Sequence, residues 1–306
     1  MDTRLLRYFL AIVDQGSISG AAHRLHMTQP PLSAALSQLE RDVGVKLVTR
    51  TSRGVSPTPA GRALSRSATE LLDSMEQTRA RLRRIAAGMV GELRLAVVAP
   101  FLWGPLPELL QRTVAASPDV DVSVSSPAPW DVVELVRSGK ADLGVLGVTK
   151  AATLAGKFGD ELHAARAGDY PLVAALPPRF SGTPASFDLT ELSNEPWIMP
   201  RSTLGVPSLP EVVREAWVEY GIKPSREQTV ESVATGLFLT AADLGVSLVP
   251  ASVKDAFHGG VILRRPLQPL PPLEFGIVWR RRDKLPPTAR RFLELAIAQG
   301  GSTSPA

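Results

Sequence analysis

Between residues 28 and 53 the chain gathers side chains suited to hydrogen bonding at a polar surface, followed by two arginines. Gln29, Ser33, Ser37 and Gln38 fall at helical spacings that place them on one outer face. Their amides and hydroxyls both donate and accept, which matches the pattern of groups along base edges in a major groove. Thr28, just before them, suits the N-cap of that helix, and a helix N-terminus favours phosphate. Arg50 and Arg53 are permanently charged and suit the flanking phosphates or the minor groove. The chemistry these residues can do together is recognition of double-stranded DNA.

Short elements must hold them. Residues 5–14 predict a first helix, because Leu5, Phe9, Ile12 and Val13 form one apolar stripe, and Gly16 ends it. Ser17 can cap a second helix whose Ile18, Ala21, Ala22 and Leu25 face inward. A turn at His26 and Met27 leads to the third. There Pro30 and Pro31 fit the first turn, where backbone N–H groups lack helical partners, and Leu32, Ala35, Leu36 and Leu39 form the inner side. Residues 45–58 read as two short strands around 51–54, carrying the arginines. The order is that of a winged helix-turn-helix.

The stretch AAHRLHMTQPPLSAALSQLE at 21–40, then LVTR with Arg53, and SPTPAG at 56–61 resemble the DNA-binding domain of LysR-type transcriptional regulators. The resemblance extends over nearly the whole chain. It implies that Thr28, Gln29, Pro31 and Ser33 contact DNA and that Arg50 and Arg53 do so from the wing. Two positions depart from the family pattern: Ala34 stands where many members have a basic residue, and Val48 replaces the usual aromatic before the wing arginine.

Charge agrees with this placement. Residues 1–90 hold 13 Lys and Arg against 7 Asp and Glu, whereas 91–306 hold 21 against 23. The basic excess therefore sits in the DNA-reading part. With no cysteine, disulfides, thiol redox sensing and cysteine zinc sites are excluded. His23 and His26 are the only histidines close in sequence and have no carboxylate or third ligand nearby, so no metal is expected. Arg7 and Asp14 interrupt the apolar start, and no uncharged apolar run approaches roughly 18 residues, so a cytoplasmic protein with no membrane partner is expected.

From about residue 59 to 87 a long helix is predicted in which Leu64, Ala68, Leu71, Met75, Thr78, Leu82 and Ile85 alternate at spacings of four and three. That heptad pattern predicts a dimer seam. The resemblance likewise implies a linker helix that dimerises, with a tetramer as the fuller assembly and RNA polymerase as a further partner. A two-fold pair of recognition helices would prefer an inverted repeat.

After Gly88 and Gly91 the pattern changes to alternating strands and helices: strands at 93–98, 120–125 and 141–148 with helices at 106–115 and 132–138. A second unit follows with strands at 170–176, 197–199, 228–230 and 246–249 and helices at 209–220 and 233–244. A late strand at 273–279 and a closing helix at 287–299 return to the first. These two lobes resemble the periplasmic-binding-protein-like effector domain of the same family, with SGKADLGV at 138–145 and AADLGVSLVP at 241–250 at its recurring strand-leading motifs. The expected fold is α/β overall. It comprises a winged helix-turn-helix (1–58), a linker helix (59–88) and a two-lobed effector domain (91–300), lobe 1 at 91–162 and 267–300 and lobe 2 at 163–266.

Ligands of open parallel α/β lobes bind outside the carboxyl ends of the strands. That rule selects Ala99, Pro100, Phe101, Ala128, Trp130, Gly147, Arg201, Ser202 and Thr203 as effector-binding candidates. Ser202 and Thr203 are short donors, Arg201 could grip an anion, and Phe101 and Trp130 suit an apolar or aromatic ligand. The expected ligand is a small-molecule co-inducer and no cofactor is expected. No Walker-type loop, nucleophile elbow or metal-ligand cluster occurs, so no catalytic residues are assigned and no enzyme is expected. A two-lobed solute-binding protein or enzyme with an incidental helix-turn-helix is the alternative, and it leaves residues 1–61 without a role.

Overall fold

The computed structural model describes residues 2–51, 54–202 and 205–302, and the chain divides between Arg83 and Arg84 into two compact units. In the first, α1 (Thr3–Gln15) starts at Asp2, whose carboxylate accepts from the Arg4 N–H at 2.8 Å, and stops at Gly16 in the left-handed region. Next comes α2 (Ile18–Arg24), capped by Ser17, which accepts from the Gly20 N–H at 3.2 Å. His26 takes a positive φ of 55° in the turn before α3 (Gln29–Val43). The wing is β1 (Val48–Thr51) paired antiparallel with β2 (Gly54–Pro57), and α4 (Pro59–Ala86) follows. Phe9, Ile12, Ala21, Leu32, Leu39 and Leu47 are enclosed in one apolar core. The three helices fall where the hydrophobic spacing put them, and the two strands lie within the expected 45–58.

Ala68 belongs to that same core, fully buried, with Leu64 packed against it. The first turns of α4 therefore cover their own unit. This removes Ala68 from the seam predicted for it, and the open apolar stripe starts at Leu71.

The second unit begins with β3 (Val90–Val97), α5 (Ala99–Trp103), α6 (Leu106–Ala116), β4 (Asp119–Ser125), α7 (Pro129–Arg137), β5 (Leu143–Val148), α8 (Ala151–Phe158) and β6 (Leu162–Tyr170). The other lobe holds β7 (Leu172–Leu176), β8 (Ser186–Phe187), β9 (Pro196–Pro200), α9 (Leu209–Tyr220), β10 (Arg226–Val230), α10 (Val233–Ala241), β11 (Ser247–Pro250) and β12 (Ile262–Pro266). Then β13 (Leu273–Arg280) and α11 (Pro287–Ser302) return to the first lobe. Its sheet runs β4-β3-β5-β13-β6; the expected strands β4, β3 and β5 are parallel, while β13 lies antiparallel between β5 and β6. The second lobe has the order β11-β7-β12-β8, with the parallel pair β9 and β10 joined to it by a bridge from Trp197 to Val246.

The lobe boundary differs from the one expected after residue 162. Leu162–Tyr170 pairs with β13 as the edge strand of lobe 1, and the crossing to lobe 2 falls at Pro171. On the return, the Leu267 N–H still donates to Phe187 O, so lobe 2 extends past 266. The sequence LHAARAGDY has no β-branched residue, and β13 rather than propensity makes it a strand. Short α8 was likewise not visible in the hydrophobic spacing, and Ala99–Phe101, expected as a loop, forms the first turn of α5.

Asp142 explains the first strand-leading motif. It is buried, and its carboxylate accepts from Arg94 N at 2.9 Å, Nε at 3.2 Å and Nη2 at 2.6 Å, tying β3 to the start of β5. The hydrogen bonds and the charge of Asp142 hold the Arg94 guanidinium above its ordinary range.

Candidate functional site

The DNA-reading surface is built on α3. Leu32, Leu36 and Leu39 anchor its inner side, leaving Thr28, Gln29, Pro31, Ser37 and Gln38 exposed and Ser33 half-buried. Thr28 sits at the N-cap with extended backbone, but its hydroxyl makes no capping bond, so it stays available to a phosphate or base. Ala34 is exposed on the same surface. Arg50 reaches back from the wing and donates through Nη2 to Ser33 Oγ at 3.4 Å, which brings two candidates from distant sequence together. Arg53 lies outside the described residues.

Gln38 is more committed than its position suggested. Its Nε2 donates to Asp42 Oδ1 at 2.7 Å, while its Oε1 accepts from Arg41 Nη2 at 2.6 Å. Arg41, exposed beside it, adds a cation that polar spacing on the outer face did not single out. The i, i+3 spacing of Gln38 and Arg41 was the available signal.

Glu40 fixes the wing to this helix. It is almost wholly buried, and its carboxylate accepts from Leu47 N at 2.9 Å, Val48 N at 3.4 Å and Lys46 Nζ at 2.6 Å. Burial alone would raise its pKa, but the Lys46 hydrogen bond, the two backbone donors and the Lys46 charge together hold it below the usual carboxylate range. A depressed folded pKa stabilises fully above the unfolded carboxylate range, and that contribution is lost as pH falls through the lower folded value. In calorimetry from pH 7 to 3, the N-terminal unit of the wild type should therefore lose more melting temperature on acidification than Glu40→Gln. Parallel curves would remove Glu40 from the acid response.

The second site is a cleft of about 310 Å³ between the lobes, at the carboxyl ends of β3 and β5 and of β9 and β10. Of the effector-binding candidates, Ala99, Pro100, Gly147 and Arg201 line it. Phe101 does not: it is fully buried beneath the cleft and meets the lining Phe275 edge to face at 5.3 Å between centroids. Ala128 is the N-cap of α7 between two lining prolines, Pro127 and Pro129, and is not itself in the wall. Trp130 also stands outside the lining and supports the Arg201 guanidinium, 5.2 Å from its ring centroid. Ser202 turns away, donating to Glu211 Oε1 at 2.6 Å, and Thr203 lies outside the described residues.

Three lining serines, Ser126, Ser208 and Ser232, were missed. Ser208 and Glu211 form a capping box at α9, and Ser232 accepts from the Thr235 N–H at 3.2 Å at α10. Serine followed three residues later by glutamate was a readable cap signal for the first. Glu211 accepts from Ser202 Oγ and from Ser208 N and Oγ; these bonds outweigh its burial and hold it below the usual carboxylate range. Between the lobes Ser252 Oγ donates to Pro100 O at 2.9 Å, and Thr149 donates to Pro207 O through its N–H at 2.9 Å and its hydroxyl at 3.3 Å.

A winged helix that reads DNA, joined to a two-lobed binding domain, defines a class of transcriptional regulator. Residues 3–62 match the bacterial regulatory helix-turn-helix model of the lysR family, and residues 86–301 match the LysR substrate binding domain. The chain belongs to the LysR family of DNA-binding transcriptional regulators. It is 31% identical over 273 residues to the HTH-type transcriptional regulator ClcR of Pseudomonas putida, covering 83% of this chain and 84% of that protein. With IlvR of Caulobacter vibrioides it shares 30% identity over 303 residues, 99% of each. Among solved structures it is similar to CbnR, a LysR family transcriptional regulator, with a TM-score of 0.80, 28% identity and coverage of 97% and 100%. Similarity to full-length CbnR complexed with its target DNA gives a TM-score of 0.74, 27% identity and coverage of 98% and 100%. Among the described residues no helix is long and apolar enough to cross a membrane.

Proposed function

We propose that the protein is a cytoplasmic homo-oligomer, a dimer that pairs into a tetramer, which binds an operator through Thr28, Gln29, Pro31, Ser33, Ser37 and the wing. A small molecule in the cleft changes its regulatory state, and RNA polymerase is the downstream partner. It has no enzyme activity of its own. The observation that carries the reading is the ligand-sized cleft between lobes joined by few polar contacts, in a chain whose other unit presents a DNA-reading helix. Such a ligand acts only by binding open and closed arrangements with different affinity.

The seam is the open stripe of α4. Leu71, Met75, Leu82 and Ile85 are 49%, 36%, 60% and 42% exposed in the single chain, an apolar run that a second copy would cover. Thr78 between them donates to Ser74 O at 2.9 Å and so carries no unmet polar group into the seam.

An electrophoretic shift with the DNA upstream of its own gene tests the reading. Arg50→Ala should weaken binding and lower the slope of log affinity against log salt by about 0.9 for each phosphate that is no longer neutralised. Unchanged affinity and slope would exclude the wing from recognition.

A further inference from the structure

The cleft lies where four helices begin. First-turn residues of α5, α7, α9 and α10 all line it, and in three of these proline occupies one of the first two positions: Pro100, Pro129 and Pro210. Proline carries no N–H, so each removes a donor that a free helix start would offer. At α9 the ionised Glu211 already takes the Ser208 N–H and the hydroxyls of Ser202 and Ser208. A second anion there would meet a like charge.

Arg201 is the one charged side chain among the described lining residues. Its N–H donates to Val230 O at 2.8 Å, which fixes it at the adjoining ends of β9 and β10, and its guanidinium rests over Trp130. Apolar side chains of Leu102, Trp103, Leu273 and Phe275 also line the cleft. The start of α10, the one without proline, follows β10 directly and so lies beside Arg201.

We infer that the effector is an apolar, ring-sized molecule with a single negative charge, its anionic group on Arg201 and its body against Trp103, Leu273 and Phe275. The inference rests on the proposed binding of a ligand in this cleft and names its class. A dicarboxylate is disfavoured because no second cation stands among the described lining residues and the Glu211 carboxylate already occupies the α9 start. A neutral analogue forgoes the charge-assisted bonds to the guanidinium.

Titration calorimetry of the full-length chain with 1-naphthoate, 1-naphthamide and naphthalene-1,4-dicarboxylate tests this. Naphthoate should bind about ten-fold tighter than the amide, which lacks the charge-assisted pair, and about ten-fold tighter than the dicarboxylate, whose second charge would be desolvated without a partner. Arg201→Gln should bring naphthoate down to the amide, and Arg201→Lys should keep the order. Filling the cleft with Gly147→Phe, or with Ala99→Phe where circular dichroism shows that the first does not fold, should abolish binding of all three. Tighter binding of the amide or the dicarboxylate that the filled cleft still abolishes would overturn the ligand class and leave the cleft reading standing. Absence of binding by all three at millimolar concentration would also overturn the class. Binding that survives the filled cleft would overturn the cleft reading itself.

Discussion

A Leu71→Asp variant is expected to scatter light as a single chain and to lose roughly 100-fold or more in operator affinity. Leu71 is half exposed in one chain and lies at the first open position of the α4 stripe, so its replacement leaves the protomer's own core intact. In the seam each aspartate would put a charge where the parent has an apolar contact. Burying such charges unpaired costs several kcal/mol, against about 1.5–3 kcal/mol gained per buried leucine in the parent. The affinity falls because one molecule no longer holds two half-sites at once. A variant that stays dimeric would place the dimer contact elsewhere.

Gly61→Ala is expected to lower the stability of the DNA-binding unit by roughly 1–3 kcal/mol, the usual cost of forcing extra atoms into a packed core. A Cβ at Gly61 would stand 1.9 Å from Leu47 O, 3.0 Å from its carbonyl carbon and 3.3 Å from Pro57 Cβ. That carbonyl cannot retreat freely, because it accepts from the Thr58 N–H at 2.9 Å. Thr58 meanwhile donates through its hydroxyl to Lys46 O at 2.8 Å and accepts from the Gly61 N–H at 2.9 Å. The close approach seats the start of α4 against the root of the wing, so operator affinity should fall together with the melting temperature. A variant with an unchanged melting temperature would mean that α4 shifts at no cost.

Gly61 also shows what a motif conceals. The run SPTPAG marks a boundary in the sequence, but the need for its last residue to be glycine arises from a carbonyl 14 positions earlier. The two strand-leading motifs make the same point. ADLGV at 141–145 and ADLGV at 242–246 are identical in sequence, yet Asp142 is buried on Arg94, whereas Asp243 sits at a φ of 62° on the surface and pairs with Arg179. Neighbouring strands decide which carboxylate is enclosed.

The reading surface of α3 was legible because its determinants are local: helical spacing separates Leu32, Leu36 and Leu39 from Gln29 and Ser37 whatever else the chain does. The cleft was legible only in outline. Strand ends located Ala99, Gly147 and Arg201, but the directions of Phe101 and Ser202 depend on Phe275 and Glu211, which come from other segments.

By itself, the sequence determined the winged helix, the two lobes and the long linker, since hydrophobic period, caps and charge placement act within a few residues of one another. Only the tertiary structure decided that Leu162–Tyr170 joins lobe 1, that Ala68 is taken into its own core and that Arg201 is the one charge among the described residues lining the cleft. Each of these depends on which distant segment comes into contact, and burial and pairing across such distances are set by packing, which spacing along the chain does not encode.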